Sequence, residues 1–421
     1  MRTLFLSFLC AVSLSVSAQK RIFIPEELRS IDFTCDSSRY SWMHSTQTRD
    51  LVFFWEKGFG DNPANPPQLE GHPMSFDLES LKDRVQYFYH FFRDTLRFSL
   101  PGSKADRYKM MVMINYSLEG TAYGGTFDNF IGALWVTPNR IQDRKFNCLA
   151  HELGHSFQLQ IQADSLSPCW GGSGFFEMTS QWMLWLVNPD WLTDENYHFE
   201  AFKKLTHKAY LDGSNIYHSP YVIAYWGEKH GLTSIADLYR DGRQGEDPVM
   251  TYQRHYGISQ QRFNDEMIDC YQRLVNLDYR HAYKETRRYA CQFSTPMEAA
   301  GSGWSPKKEF TPEDYGFNAI RLTGCQSGKK VVATVAASDQ ARRQGGLRYG
   351  LVAVTAAGKA VYGKPVAHGG ASLKMPAEPL KAVYLVVMGA PAKHQRLSWD
   401  EKRPNRQYPY TVAFNKGVRP E

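Results

Sequence analysis

The sequence is poor in cysteine, and it has no long apolar segment after its first 18 residues. Seven cysteines in 421 residues, none with zinc-finger spacing, exclude a disulfide framework and a thiolate zinc module. No later run is long and apolar enough to cross a bilayer, so we expect no integral membrane segment. The net charge of +6 is spread along the chain and indicates no nucleic-acid partner. The remaining composition, 43% hydrophobic and 14% aromatic, is that of a globular protein with two domains.

Residues 1–18 have the composition of a signal peptide. Arg2 supplies the positive end, residues 4–16 form an apolar core, and Val16-Ser17-Ala18 is a small-residue cleavage site. A lipoprotein anchor at Cys10 is the alternative, but that cysteine lies inside the apolar core and lacks small residues just before it. We therefore expect a secreted or periplasmic protein after cleavage near Ala18.

Residues 148–158, Cys-Leu-Ala-His-Glu-Leu-Gly-His-Ser-Phe-Gln, contain the pattern His-Glu-x-x-His. His151 and His155 share one face of a helix, so both imidazoles can bind one Zn²⁺ ion. Glu152 is then placed to act on the water at that ion as a general base. The alternative is a chance match in a half-buried polar stripe. The metal interpretation is favoured because apolar residues recur at helical spacing over residues 146–161.

A catalytic zinc needs a third protein ligand, and the compact His-Glu-x-x-His-x-x-Gly-x-x-His pattern does not supply it. That pattern requires Gly at position 158 and His at position 161, where this chain has Gln158 and Ile161. Glu177 is the only acidic residue within 165–189, and it lies in a largely apolar helix predicted over 175–186. A carboxylate there is costly unless it is paired or bound to metal. The alternative is an exposed residue that the helix dipole favours in the first turn.

His151-Glu152-x-x-His155, followed 22 residues later by Glu177 in a second helix, resembles the gluzincin branch of zinc metallopeptidases. The chain is also similar to an uncharacterised family of secreted bacterial proteins with a gluzincin-like domain and a β-rich C-terminal domain. The resemblance implies His151, His155 and Glu177 as zinc ligands and Glu152 as catalytic base. One departure is that Met-Thr-Ser-Gln follows Glu177, where well-studied gluzincins have an Asp-containing continuation. Gln181, one turn after Glu177, is a candidate for orienting His151 or His155 by a hydrogen bond.

Gluzincins also place a Tyr or His donor opposite the metal, where it stabilises the oxyanion of the tetrahedral intermediate. The resemblance directs the search for this donor to residues 216–226, which read as the start of a helix. Tyr221 is our first candidate and His218 our second. A packing role is the competing interpretation for each, and it is the more common one for such residues.

The segments predict an α+β fold: a zincin-like metallopeptidase domain over 19–295 and a β-sandwich over 307–421, joined by a linker at 296–306. The glycine-rich residues 121–126 read as a loop, and the strand over 132–138 could pair with a peptide substrate or be an ordinary core strand. Further strands are predicted over 110–116, 317–322, 331–335, 347–354, 382–388 and 410–414, and helices over 76–96, 216–230, 233–239, 248–256 and 259–274.

These features favour an exported endopeptidase with one catalytic Zn²⁺ ion that hydrolyses protein or peptide substrates. The runner-up is a catalytically silent, metallopeptidase-like binding protein that recognises a glycan or a protein through its β-domain. Glu152 argues against it, because a structural zinc site has no use for that carboxylate and favours thiolates. Zinc-dependent hydrolysis of a non-peptide amide, for instance in cell-wall material, is a third possibility.

Overall fold

The computed structural model describes residues 19–164, 170, 174–396 and 404–421. The predicted signal peptide lies outside the described residues. The described part is a mixed α/β structure with three five-stranded sheets. No helix within it is both long and apolar enough to cross a membrane. Its five cysteines are free thiols.

Most helices of the described part follow the first sheet along the chain and precede the two C-terminal sheets. Their bounds are α1 Leu78–His90, α2 Lys104–Arg107, α3 Asn147–Ala163, α4 Phe175–Val187, α5 Trp191–Asp194, α6 Asn196–Leu205, α7 Tyr221–His230, α8 Ser234–Asp241, α9 Pro248–His255, α10 Gln260–Leu274, α11 Tyr283–Thr286 and α12 Asp339–Gln344. Side-chain caps explain the starts of α1, α9, α10 and α12; for example, the Asp77 carboxylate accepts from the Ser80 N–H, and the Ser259 hydroxyl accepts from the Arg262 N–H. The helices predicted over 233–239, 248–256 and 259–274 are confirmed as α8, α9 and α10.

The first sheet contains the five N-terminal strands. These are β1 Ser45–Gln47, β2 Leu51–Trp55, β3 Met110–Ile114, β4 Ala122–Phe127 and β5 Ile131–Val136. Their order is β1-β2-β3-β5-β4, with β2, β3 and β5 parallel and both edge strands antiparallel to their neighbours. The central strands β2 and β3 are buried along their whole length, as parallel strands covered on both faces are.

The edge of this sheet differs from the sequence-based expectation. The strand predicted over 132–138 is β5, which lies between β3 and β4 and is therefore an ordinary core strand. The segment predicted as a loop over 121–126 is the edge strand β4. The prediction was wrong because glycine usually weakens a strand, whereas at Gly124 a side chain would collide with α3.

The C-terminal part is rich in antiparallel strands. These are β6 Met297–Ala300, β7 Gly303–Pro306, β8 Phe317–Thr323, β9 Lys330–Ala337, β10 Leu347–Thr355, β11 Ala360–Tyr362, β12 Gly370–Lys374, β13 Leu380–Gly389, β14 Tyr410–Phe414 and β15 Arg419–Pro420. They form two sheets, in the orders β11-β10-β13-β8-β15 and β12-β9-β14-β7-β6. A hydrophobic cluster drawn from both sheets lies between them. The five strands predicted in this region are confirmed as β8, β9, β10, β13 and β14.

Two features of this region were not expected from the sequence. Residues 296–306, predicted as a linker, form the β6–β7 hairpin, which turns at Gly301 with a φ of +60° and joins a C-terminal sheet. Strand β10 is buried at all nine positions, because α10 covers the face opposite the inter-sheet cluster. Gln272 of α10 donates to the Leu351 carbonyl at 3.1 Å and to the Gly363 carbonyl at 3.0 Å. The first sheet, the helices and the sheet that contains β10 therefore contribute to one apolar cluster.

Candidate metal centre

Helix α3 brings the two histidines of the motif to the side that meets α4. Its apolar residues Leu149, Leu153 and Phe157 are buried in the core, as the helical spacing requires. His151 and His155 stand one turn apart, with their ring centroids 4.7 Å from each other. The histidine pair therefore lies at the contact between two helices.

A close approach of α3 and α4 carries Glu177 to the histidines. A Cβ atom at Gly154 would lie 2.7 Å from the Ser180 Oγ atom and 3.3 Å from the Ser180 Cα atom, so the two backbones are nearly in contact there. Glu177 lies in the first turn of α4, where the helix dipole favours a carboxylate. Its side chain is 20% exposed and faces both imidazoles.

Three potential ligand atoms meet at this point. The two Nε2 atoms of His151 and His155 are 3.0 Å apart. Each of them is 3.1 Å from the Oε2 atom of Glu177. The structure thus brings together the three residues that the sequence suggests as ligands, while their binding of a metal stays a prediction.

Hydrogen bonds to two glutamines determine which imidazole nitrogens carry protons. The Nδ1 atom of His151 is 3.0 Å from the Gln181 Oε1 atom, and that of His155 is 3.1 Å from the Gln158 Oε1 atom. Both amide orientations are determined by carbonyl acceptors, since Gln181 Nε2 donates to the Tyr217 carbonyl and Gln158 Nε2 to the Phe176 carbonyl. Both Nδ1 atoms must therefore donate a proton to their glutamine. In the neutral imidazole, each Nε2 atom then carries a lone pair and no proton.

This donor set fits a divalent metal ion. Two imidazole lone pairs and one carboxylate oxygen face each other at hydrogen-bond distance with no proton among them in the neutral tautomers, an arrangement that a shared cation resolves. Two imidazole nitrogens and one carboxylate oxygen are a ligand set that suits catalytic zinc. Burial raises the pKa of Glu177, but the facing imidazoles of His151 and His155 outweigh this and hold the pKa well below its usual range. Burial lowers the pKa of His155, yet Glu177 outweighs this and raises it. Both directions indicate a site that attracts positive charge.

Glu152 is held beside this cluster by the edge strand. Its Oε2 atom accepts a hydrogen bond of 2.8 Å from the Gly124 N–H of β4. That N–H therefore points away from the partner strand β5 and toward α3. The bond fixes one carboxylate oxygen and so sets the direction of the other.

Gly124 is predicted to be intolerant of any side chain. A Cβ atom there would overlap the carbonyl oxygen of Glu152 and lie 2.6 Å from its carbonyl carbon, both of which belong to the backbone of α3. We expect Gly124→Ala to lower the free energy of unfolding by about 1–3 kcal/mol, the usual range for overpacking. Urea denaturation measures this change.

Gly125→Ala is the matched control on the same strand. The nearest atoms to a Cβ there are the Tyr123 and Trp135 rings, at 3.1 and 3.2 Å, and side chains can move where a helix backbone cannot. Equal destabilisation by the two substitutions would contradict the proposed contact between β4 and α3.

Tyr221, the first candidate for the oxyanion donor, lies in the hydrophobic core. Its side chain is 1% exposed and packs in the core against Trp185, Phe202 and Tyr279. Burial raises the pKa of Tyr221 well above its usual value. It begins α7 on the face that points into the helical core, so it fills space there.

The second candidate, His218, is also displaced from the ligand atoms. Its Nδ1 atom is 2.7 Å from the Nδ1 atom of His198, and His198 in turn lies 3.3 Å from the Gln181 amide. No contact found among the described residues joins His218 to the proposed ligands. Within the described residues, the contacts from His218 lead to His151 through His198 and Gln181.

Tyr217 is the residue that sequence reasoning missed. Its ring centroid is 6.2 Å from that of His151, and its side chain is 45% exposed. Burial and the facing carboxylate of Glu177 raise the pKa of Tyr217 to about 12. It lies in the stretch 216–226 searched for the donor, but no periodicity signals its direction because it precedes α7.

Comparisons with known proteins place the chain in a family. No curated protein matches it. Two solved structures are similar in part. One is the ZmpB metallopeptidase from Clostridium perfringens, at 13% identity over 90% of this chain and 67% of that one, with a TM-score of 0.33. The other is the M60 catalytic domain from Clostridium perfringens ZmpC in complex with the sialyl T antigen, at 12% identity over 86% and 68%, with a TM-score of 0.32.

A family model matches residues 14–420 of the chain. It is described as a family of unknown function (DUF6055), and the chain belongs to that family.

Proposed function

We propose that this protein is an exported zinc-dependent endopeptidase. His151, His155 and Glu177 hold one Zn²⁺ ion, and Glu152 is the general base. The observation that carries the proposal is the convergence of three lone-pair atoms, 3.0–3.1 Å apart, with a fourth side chain beside them that is not needed as a ligand. Export rests on the composition of residues 1–18.

The character of the site favours catalysis over a structural role. A structural zinc ion is normally enclosed by four protein ligands, often thiolates. Cys148, the described cysteine on α3, has a pKa that burial raises to about 11, which makes a thiolate ligand unfavourable. Glu152 adds a free carboxylate at a set position, which a structural site does not require.

The protein residues divide the work of peptide hydrolysis. When bound, Zn²⁺ polarises the scissile carbonyl and lowers the pKa of water toward about 7. Glu152 accepts the proton of the attacking water and delivers it to the departing amine. The Gly124 N–H keeps the Glu152 carboxylate in one orientation during this transfer. Gln181 and Gln158 keep both imidazoles in the tautomer that turns Nε2 toward the ion.

The edge strand β4 is the proposed binding site for the peptide backbone. One side of β4 pairs with β5, and the Gly124 N–H leaves the other side in the direction of Glu152. An extended peptide added to this free edge would be bound by main-chain hydrogen bonds, largely independent of its side chains. Its scissile bond would then pass close to the general base.

Tyr217 is the proposed donor to the oxyanion. We expect Tyr217→Phe to lower kcat by about 10²–10³-fold, the usual loss for one oxyanion donor. KM and zinc content should change little, because the hydroxyl acts mainly in the transition state. Steady-state kinetics on a cleaved peptide measures both constants.

Tyr87→Phe is the matched control, since Tyr87 is also 45% exposed and lies on α1. A Tyr217→Phe enzyme with the kcat of the control would remove Tyr217 from the mechanism and leave the metal ligands unaffected.

Digestion of a peptide library, read by mass spectrometry, tests the proposed function directly. The zinc-loaded chain should cleave a subset of peptides, a chelator should stop cleavage, and added Zn²⁺ should restore it. Complete absence of cleavage by a chain with a full complement of zinc would refute the proposal and favour the binding-protein alternative.

A further inference from the structure

A second cluster of metal-ligating side chains lies at the opposite edge of the first sheet, beside β1. Asp36, His44 and Asp61 each turn one potential ligand atom toward a common point, and these atoms lie within 4.8 Å of one another. Asp36 and His44 precede β1, while Asp61 follows β2. Two separate loops of the chain therefore meet at this point.

His44 is the unusual member of the cluster, because it is buried with an unused nitrogen. Its side chain is 4% exposed. The Nδ1 atom is 3.3 Å from the Ser41 Oγ atom, whereas the buried Nε2 atom has no hydrogen-bond partner. A buried polar atom without a hydrogen-bond partner is unfavourable, so a ligand for this nitrogen would stabilise the structure.

The two carboxylates face that nitrogen at a distance that suits a metal ion better than a direct bond. The Nε2 atom of His44 is 3.6 Å from the Asp36 Oδ1 atom and 3.4 Å from the Asp61 Oδ1 atom. An N–H···O hydrogen bond would be about 2.7–3.2 Å long. Two ligands of a tetrahedral zinc ion are about 3.3 Å apart, since each lies about 2.0–2.1 Å from the metal.

The charge around the cluster also favours a cation. The side chains of Asp36 and Asp61 are 62% and 92% exposed. In the part of the chain that the structure describes, neither carboxylate has an ion pair with lysine or arginine, and His44 is the only ion-pair partner found for both. Two adjacent carboxylates repel each other, and a divalent ion between them removes that repulsion.

We propose that Asp36, His44 and Asp61 form a second metal site that takes Zn²⁺ or a similar borderline divalent cation. The imidazole nitrogen disfavours Ca²⁺ and Mg²⁺, which prefer all-oxygen sites. The bound ion joins the loop before β1 to the loop after β2. It thereby stabilises an edge strand of only three residues, far from the Glu152 cluster in the sheet order.

Zinc stoichiometry of the full mature chain tests this site. The His151→Ala/His155→Ala double variant removes the proposed catalytic ion, so any zinc it retains reports on the second site. After saturation with ZnCl₂ and gel filtration, elemental analysis should give two zinc ions per wild-type chain and one per double variant. Adding Asp36→Asn and Asp61→Asn to the double variant should give none. These two changes are isosteric and at exposed positions, so the fold should be kept.

Asp83→Asn, an exposed carboxylate on α1, is the matched control and should leave the stoichiometry of the double variant at one. A double variant without zinc would overturn the proposal, and so would zinc that persists after Asp36→Asn and Asp61→Asn. Saturation with CaCl₂ in place of ZnCl₂ should give no bound metal, and stoichiometric Ca²⁺ would overturn the role of the His44 nitrogen.

Discussion

Glu152→Gln is expected to lower kcat/KM for a cleaved peptide by about 10²–10⁴-fold, the contribution typical of a general acid–base group. The amide keeps the size of the carboxylate and can still contact the Gly124 N–H, but it cannot take a proton from water. Zinc affinity should stay at the wild-type value, because Glu152 is not one of the three ligand atoms that converge. Peptide kinetics and elemental analysis of the same preparation measure the two quantities together.

The control for this substitution is Glu119→Gln, which makes the same chemical change at an exposed glutamate just before β4. It should keep wild-type kinetics. A Glu152→Gln enzyme that turns over peptides as fast as the control would rule out Glu152 as the base. A variant that loses its zinc would instead show that Glu152 supports the ligands.

Glu177→Ala is expected to weaken zinc binding at the catalytic site by more than about 100-fold, since even the hydrogen-bond partners of metal ligands contribute 10–100-fold. Glu177 supplies the only negative charge among the three ligand atoms, and its removal leaves two neutral imidazoles. Peptide cleavage should be lost at zinc concentrations that saturate the wild type. Competition against a chelator of known affinity measures the change.

The second proposed site must be silent in that measurement, so the comparison uses the Asp36→Asn/Asp61→Asn background throughout. Glu200→Ala is the matched control, because Glu200 is an exposed helical glutamate whose ion pair, within the described residues, is with Lys203. If Glu177→Ala kept the zinc affinity of Glu200→Ala, the third ligand would be another residue, and the gluzincin resemblance would fail at its most specific position.

The convergence of His151, His155 and Glu177 is the part of the molecule that local sequence predicts best. The four-residue spacing of His151 and His155 depends only on the helical period, and apolar residues at the same period predict the helix that carries them. Glu177 follows from the scarcity of acids in an apolar helix. The role of Gln158 was not predicted, because it depends on the side-chain rotamer of His155 and on the path of α4.

The surroundings of the cluster depend on tertiary contacts and were predicted less well. Gly124 reads as a loop residue, yet it belongs to a strand whose close approach to α3 leaves no room for Cβ. Tyr217 and Tyr221 are tyrosines of the same short stretch, and the sequence does not distinguish them. Helix α7 begins at Tyr221 and directs its side chain into the core, whereas Tyr217 lies in the loop before the helix. The residue at which α7 begins therefore decides which of the two tyrosines faces His151, and a shift of one helical turn would change the outcome.

The sequence predicted a linker between the two halves of the chain, whereas the structure has a β-hairpin there. Glycine, serine and proline at 296–306 are typical of linkers, but here they form a tight hairpin that belongs to a sheet. Helix α12 was also missed, since its six residues are too few for a period to emerge. Short elements of this kind depend on the neighbours against which they pack.

The burial of β10 on both faces limits how this gene can recombine. A domain that is exchanged between proteins must bring its own closed core, whereas here α10 covers one face of β10 and Gln272 hydrogen-bonds to backbone carbonyls within and beside that sheet. If the N-terminal half were transferred alone, the apolar face of α10 would be exposed to solvent. If the C-terminal half were transferred alone, the outer face of β10 would be exposed. We therefore expect the helices and all three sheets to be exchanged between proteins only as one unit.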